Sequence, residues 1–200
     1  MAFPQRIAIA SRNAHKLREI GRICADWPVE WLTVENHEGA WPDVEETGST
    51  YLENAMLKAR AGAAAIGEPA LADDSGIEVD ALGGRPGPRS ARFAGEDATD
   101  GQNLEELIRA LKGVPAAGRT ARYRCVVVLA FPDGRELVAE GICEGILGSK
   151  PRGAHGFGYD PIFVPGGWDQ TMAELSDEEK DRISHRGRAL RALRDQLEAG

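Results

Sequence analysis

Arg6-Ile-Ala-Ile-Ala-Ser11-Arg12-Asn13-Ala14-His15-Lys16-Leu17-Arg-Glu-Ile20-Gly-Arg-Ile-Cys24 changes its periodicity halfway along. Ile7 and Ile9 alternate with alanine over Arg6 to Ala10, as in a strand, whereas Leu17, Ile20 and Cys24 share one stripe of a helix. Asn13 stands between them and is a favoured helix N-cap, so the segment reads strand, turn, helix. Free amide N–H groups, the positive helix end and Lys16 could there converge on an anion. The pattern matches neither the P-loop nor the G-x-G-x-x-G fingerprint, and a capped helix with an exposed lysine accounts for the same residues.

Outward from this segment, Val29 to Val34 reads as a second strand. Thr50 to Ile66 reads as an alanine-rich helix that exposes Glu53 and Lys58 beside the apolar positions Leu52, Met56, Ala59 and Ala63. Ala70-Leu71-Ala72 is a short apolar strand that runs into Asp73-Asp74-Ser75-Gly76. Leu104, Leu107, Ile108 and Leu111 have helical spacing, stopped at Lys112-Gly113. Arg119 to Phe131 and Glu136 to Leu147 are rich in strand formers and flank Pro132-Asp133-Gly134, which predicts an antiparallel hairpin. Ser176-Asp-Glu-Glu179 is a capping-box match before the helical positions Ile183, Leu190, Leu193 and Leu197, with a break expected at Ser184 to Gly187. Strands alternating with helices and then a hairpin imply an α/β sheet of mixed direction. No repeat or flexible linker divides the chain, so residues 1–200 read as one domain.

The composition of the 200 residues, 42% hydrophobic and 28% charged, is that of a globular chain rather than a disordered or fibrous one. The longest apolar run, Cys125 to Phe131, falls far short of the about 20 residues of a membrane helix, so no membrane partner is expected. Ile7 to Ala10 is too brief for the apolar region of a signal peptide. The three cysteines, Cys24, Cys125 and Cys143, are widely spaced and form no C-x-x-C pair; a reducing cytoplasm is the expected location. A net charge of −8 argues against a nucleic-acid polymer as partner, since such binding depends on neutralising many phosphates. A small phosphorylated ligand that brings its own metal is compatible with that charge.

Several residue groups could carry chemistry. Asp43, Glu45 and Glu46, and then Asp73 and Asp74 behind an apolar strand, offer the oxygen donors that suit Mg²⁺. Neighbours on a strand face opposite ways, so if the extended conformation persists Asp73 and Asp74 cannot serve one ligand equivalently, and one of them is expected to be supporting. The Asp43 to Glu46 run also reads as a solvated acidic turn. Gly83 to Pro88 with Arg89 and Arg92 is either a turn or a loop presenting guanidinium groups to phosphate. Gly156-Phe157-Gly158-Tyr159-Asp160-Pro161 sets two rings and a carboxylate among glycines, which could stack a purine or bury its rings in the core. The four histidines lack zinc-ligand spacing, and no G-x-S-x-G elbow or Cys/His nucleophile signature is found.

Taken in order, Ser11 to Lys16, Glu45-Glu46-Thr47-Gly48, Glu53 to Ala59, Ala72-Asp73-Asp74-Ser75-Gly76, Pro86-Gly87 with Ser90-Ala-Arg92, Phe157-Gly158-Tyr159-Asp160 and Ser184-His185-Arg186 span nearly the whole chain. Together they resemble the inosine/xanthosine triphosphate pyrophosphatase family, the noncanonical purine nucleoside triphosphate pyrophosphatases. The resemblance implies an elongated mixed β-sheet flanked by helices, two lobes with a central substrate cleft, and a homodimer. It also implies Mg²⁺-dependent hydrolysis of ITP, dITP and XTP to the monophosphate and pyrophosphate, which clears them from the nucleotide pool.

By the same resemblance, Ser11, Arg12, Asn13, Ala14, His15, Lys16 and Lys58 would hold the triphosphate, Glu46 and Asp74 would bind Mg²⁺, and Ser75 would contact substrate. Asp74 would accept a proton from the water that attacks the α-phosphorus, with Asp73 in support. Phe157 would stack on the purine, in a loop with Gly158 and Tyr159. Asp160 would contact a ring edge, and Lys180, His185 and Arg186 would help recognise the base. A buried donor that meets the 6-oxo group of hypoxanthine or xanthine would face the 6-amino donor of adenine unpaired, costing about 1–3 kcal/mol. Guanine also has a 6-oxo group, so its rejection must involve the 2-position. A pyrophosphatase for modified pyrimidine nucleotides and a non-catalytic nucleotide sensor are the alternatives.

Overall fold

The computed structural model describes residues 3–39 and 41–199, so Met1 and Ala2 of the opening stretch lie outside the described residues. Strand β1 (Arg6–Ile9) passes through the Asn13 cap into helix α1 (Ala14–Ile23). Strand β2 (Glu30–Leu32) pairs in parallel with β1, as does β3 (Ala70–Val79) on its other side. Between β2 and β3 lies α2 (Tyr51–Ile66), opened by a capping box in which Thr50 and Glu53 each bind the other's amide.

Helix α3 (Asp100–Ala110) then leads to β4 (Thr120–Ala130) and β5 (Glu136–Leu147). These two are sheet neighbours joined directly by a turn in which the Phe131 amide bonds the Arg135 carbonyl at 2.9 Å, the connection of an antiparallel hairpin. Strand β6 (Phe163–Pro165) is antiparallel to β5, and α4 (Asp177–Ile183) and α5 (His185–Ala199) follow. The six strands form one mixed sheet in the order β2-β1-β3-β4-β5-β6, the α/β class expected.

Two local details differ from or sharpen the expectation. Strand β3 does not end at Ala72 but runs on through Asp73, Asp74, Ser75 and Gly76 to Val79. Polar residues continue in a buried strand because side chains distant in sequence satisfy them, which hydrophobic patterning does not register. The break near Ser184 is a single extended residue: Ser184 has φ −63° and ψ 157° between the last residue of α4 and the first of α5.

The chain clusters into two compact units, the first comprising Met1–Asp74, Cys125–Gly141 and Arg186–Gly200, the second Ser75–Arg124 and Ile142–His185. In the first unit the strands sort their residues by parity. Ile7, Ile9, Leu71, Val127 and Leu129 join Leu17 and Ile20 of α1 and Leu190, Leu193 and Leu197 of α5, together with Cys24 and Cys125. Ala8, Ala70, Ala72, Val126 and Val128 point the other way, to Ala55, Ala59 and Ala63 of α2. Alanines on both sides of that contact bring α2 close to the sheet. The second unit has its own core of Ile77, Val79, Leu107, Leu111, Tyr123, Cys143, Ile162, Phe163 and Met172. Among the described residues no helix is long and apolar enough to cross a membrane.

This packing separates residues by their cost of truncation. Leu107→Ala removes a fully buried side chain of the second unit and is expected to lower the unfolding free energy by about 2–5 kcal/mol. Leu52→Ala, at a position 39% exposed on α2, should change it by no more than about 0.5 kcal/mol. Urea unfolding followed by circular dichroism checks both values.

Candidate functional site

At the start of α1 the Asn13 side chain accepts hydrogen bonds from the amides of His15 (2.9 Å) and Lys16 (3.2 Å), and Ser11 Oγ accepts from the Asn13 amide at 3.2 Å. These amides are therefore engaged within the chain, not free as the strand-turn-helix reading anticipates. An anion here would be met chiefly by side chains. Arg12 donates to the Trp41 carbonyl at 2.9 Å, and His15 Nδ1 lies 2.9 Å from Arg18. Ala14 is exposed, whereas Ser11 and Lys16 are partly buried.

Lys16 leads to the first of the paired aspartates. Asp73 has the parity of Leu71 in β3 and faces α1 and α5, where its Oδ2 accepts from Arg186 Nη2 at 2.9 Å and lies 3.2 Å from Lys16 Nζ. Arg186, 1% exposed, bonds Glu19 of α1 with its other terminal nitrogen. Burial by itself would push the Asp73 carboxyl upward, but the charges of Lys16, Arg186 and Lys58 outweigh it and hold the group far below the usual carboxylate range. Burial, with Asp73 nearby, drives the adjacent Cys125 thiol well upward, so it remains protonated.

Asp74 takes the opposite face and meets α2. Its Oδ2 accepts from Asn54 Nδ2 at 3.0 Å, and its Oδ1 lies 3.9 Å from Lys58 Nζ. The same ammonium binds Glu46 Oε1 at 2.5 Å. Burial holds the Asp74 carboxyl above the usual carboxylate range; Lys58 and Lys16 oppose that shift, and Glu46 adds to it. For Lys58, burial works against the charge, yet Asp74, Asp73 and Glu46 raise its pKa. Asn54 also accepts from the Gly48 amide at 2.8 Å, tying the Glu45-to-Gly48 loop to this corner. A Cβ at Gly48 would come within 2.6 Å of Asn54 Oδ1, so the loop needs glycine there. Ser75, partly exposed, follows in β3 as the first residue of the second unit.

Glu46 and Asp74 thus converge on one positive charge and offer oxygen donors alone. Among the described residues no group of three or more His, Cys, Asp or Glu side chains is placed to hold a metal ion unaided. A cation at this corner would depend on two carboxylates and on ligands arriving with a phosphorylated molecule, the usual habit of Mg²⁺, so the residues present fit that ion. Asp43 and Glu45 are exposed, and Arg89, exposed on the 3-10 helix Gly87–Arg92, pairs with Glu96 at 2.6 Å.

The second unit gathers a different group. Asp160, 3% exposed, accepts from the Phe157 amide (2.9 Å) and Lys180 Nζ (2.6 Å) on Oδ2, and from the Tyr123 hydroxyl (3.1 Å) on Oδ1. Lys180 Nζ stands 5.2 Å from the centroid of the Phe157 ring. The His185 ring stacks on Tyr123 at 4.6 Å with 7° between the planes. Gly156 has φ +74°, and a Cβ there would overlap Asp160 Oδ2 and come within 3.0 Å of Lys180 Nζ. The loop's two rings divide between the two readings of its sequence. Tyr159 is 4% exposed, with its hydroxyl donating to the Ser90 carbonyl at 2.7 Å, whereas Phe157 keeps partial exposure. Gly158 donates its amide to Asp100 at 3.1 Å.

Lys180 and His185 therefore stand with Phe157 and Asp160, and Arg186 stands with Glu19 and Asp73 in the first unit. Glu19, Asn54, Asp100 and Tyr123 escape sequence reasoning. For Tyr123 a signal existed: Arg122 and Arg124 on either side mark it by alternation as the inward residue of its strand.

Residues 7–196 match the family model described as the Ham1 family. The dITP/XTP pyrophosphatase of Geobacillus kaustophilus is 49% identical over 194 residues, covering 97% of this chain and 95% of that one. The dITP/XTP pyrophosphatase of Geobacter sulfurreducens is 47% identical, with 96% of each chain covered. A solved HAM1 protein from Coxiella burnetii superposes with a TM-score of 0.87 at 40% identity, over 98% of this chain and 100% of that chain. With a family model matched across nearly its full length, and relatives at this identity, the chain belongs to the Ham1 family.

Proposed function

We propose that this chain hydrolyses noncanonical purine nucleoside triphosphates, ITP, dITP and XTP, to the monophosphate and pyrophosphate. The observation that carries the proposal is the convergence of Glu46 and Asp74 on Lys58, with Lys16 on the neighbouring Asp73. Relatives named dITP/XTP pyrophosphatases, matched along nearly their whole length, support the substrate class.

In this reading Lys16, Lys58 and the Ser11 hydroxyl hold the phosphates, with Arg12, Asn13, Ala14 and His15 shaping the loop around them, and Ser75 contacts substrate. Glu46 and Asp74 would hold Mg²⁺, which when bound supplies Lewis-acid stabilisation of charge on the phosphate oxygens. Asp74 accepts the proton of the water that attacks the α-phosphorus, and Asn54 fixes its carboxylate through Oδ2. Asp73 and Arg186 neutralise each other behind it and hold Lys16 in place. Phe157 stacks on the purine, and Asp160, Lys180 and His185 read its edge, with Gly158 and Tyr159 anchoring their loop. The whole chain acts as one catalytic domain, and a homodimer belongs to the same proposal.

Turnover of ITP, XTP, GTP, ATP and dUTP with Mg²⁺, measuring pyrophosphate and orthophosphate separately, tests the reaction. Pyrophosphate is the expected first product, with kcat/KM for ITP and XTP at least about ten-fold above that for ATP, the worth of one unpaired buried donor. Orthophosphate as first product rejects the mechanism, preference for dUTP favours a pyrimidine enzyme, and binding without turnover favours a sensor.

The paired aspartates should separate in their effects. Asp74→Asn is expected to lower kcat by at least about 100-fold with the fold retained, as for loss of a general base. Asp73→Asn should instead cost about 3–5 kcal/mol of stability, because Arg186 and Lys16 lose their shared charge partner. Kinetics and urea unfolding on the same preparations distinguish the two.

A further inference from the structure

Tyr123 is 7% exposed and lies inside the second unit, wedged between the Phe163 ring at 4.7 Å and the His185 ring at 4.6 Å. Its hydroxyl donates to Asp160 and its ring stacks on His185, so it touches two of the groups assigned above to the base. We propose that Tyr123 is a positioning residue for purine recognition: its hydroxyl fixes the orientation of the Asp160 carboxylate, and its ring fixes the plane of His185. The proposal rests on the assignment of Phe157, Asp160, Lys180 and His185 to the base.

Each carboxylate oxygen accepts about two hydrogen bonds. Oδ2 already receives the Phe157 amide and the Lys180 ammonium, so a donor on the base must turn to Oδ1. The Tyr123 hydroxyl occupies one side of Oδ1 at 3.1 Å and so sets where its remaining lone pair points. Hypoxanthine and xanthine carry a donor at N1–H, whereas N1 of adenine is an acceptor. A carboxylate oxygen held in one orientation therefore rewards the first two bases and opposes adenine. Without the hydroxyl, the carboxylate gains rotational freedom about its Cβ–Cγ bond, and the discrimination weakens although no group touching the base has been removed. The stack confines His185 in the same way, since nearly parallel rings at this separation leave the imidazole little room to tilt.

Tyr123→Phe deletes the hydroxyl and keeps both ring contacts. The expected result is an approximately ten-fold loss in kcat/KM for ITP, the scale of one hydrogen bond to a charged group, expressed in KM with kcat nearly unchanged. ATP turnover should hardly move, so the ITP-to-ATP ratio contracts by about the same factor. Phe157→Ala, assayed alongside, reports on the underlying base assignment by raising KM for ITP. Should Phe157→Ala raise that KM while Tyr123→Phe leaves both it and the ratio unchanged, the positioning role is overturned and base reading by this loop stands. Equal losses on ITP and ATP with a lowered Tm would reduce Tyr123 to a purely structural residue and overturn the proposal. Unchanged KM for ITP in both variants would overturn the base assignment, and the role of Tyr123 with it.

Discussion

A strand cannot point two consecutive side chains the same way, and the first unit is organised around that constraint at Asp73 and Asp74. Two identical carboxylates, adjacent in sequence and both buried, receive opposite electrostatic treatment because one faces α1 and α5 and the other faces α2. Asp73 is compensated by Arg186 and Lys16 and stays ionised. Burial raises the proton affinity of Asp74 and Glu46 adds to it, while Lys58, Lys16 and the Asn54 amide oppose the rise only in part. An isolated buried charge costs several kcal/mol, so the pairing of Asp73 with Arg186 and Lys16 is a condition of the fold. The looser compensation of Asp74 is what leaves it chemically responsive.

The second unit solves a related problem with a loop. Four donors and acceptors from three segments, namely the Phe157 amide and Asp160 of one loop, Lys180 and Tyr123, close on one another, with the side chains of Asp160, Lys180 and Tyr123 buried. Asp100 and Ser90 hold the intervening residues from outside this cluster. Such networks are costly when partly satisfied and rigid when complete, and the base reading proposed for this cluster draws on that rigidity.

Local periodicity made much of the fold legible. The change of period at Ser11 to Asn13, the capping box at Ser176 and the turn at Pro132 to Gly134 depend on neighbours within a few residues, and each stands where its sequence puts it. Opposite faces for Asp73 and Asp74 were legible on the condition that the strand continued, but its run to Val79 was not, because the residues that make the buried Asp73 tolerable, Arg186 and Lys16, lie far away in the chain. Glu19 and Asn54 were hidden for the same reason: a buried carboxylate and a buried amide in a helix look like solvent-facing residues until their partners are known. The loop at Phe157 to Asp160 sustained two readings since its sequence contains both, one ring for the core and one left accessible.

Cys24, Cys125 and Cys143 are all buried thiols, the first two in one unit and the third in the other. Burial pushes the Cys24 pKa up to about 12, and that of Cys125 is also raised, so these two offer little nucleophilic thiolate in the folded chain. Their reaction with an alkylating reagent therefore awaits local or global opening, and the three sulfurs act as native reporters of when each half of the molecule breathes.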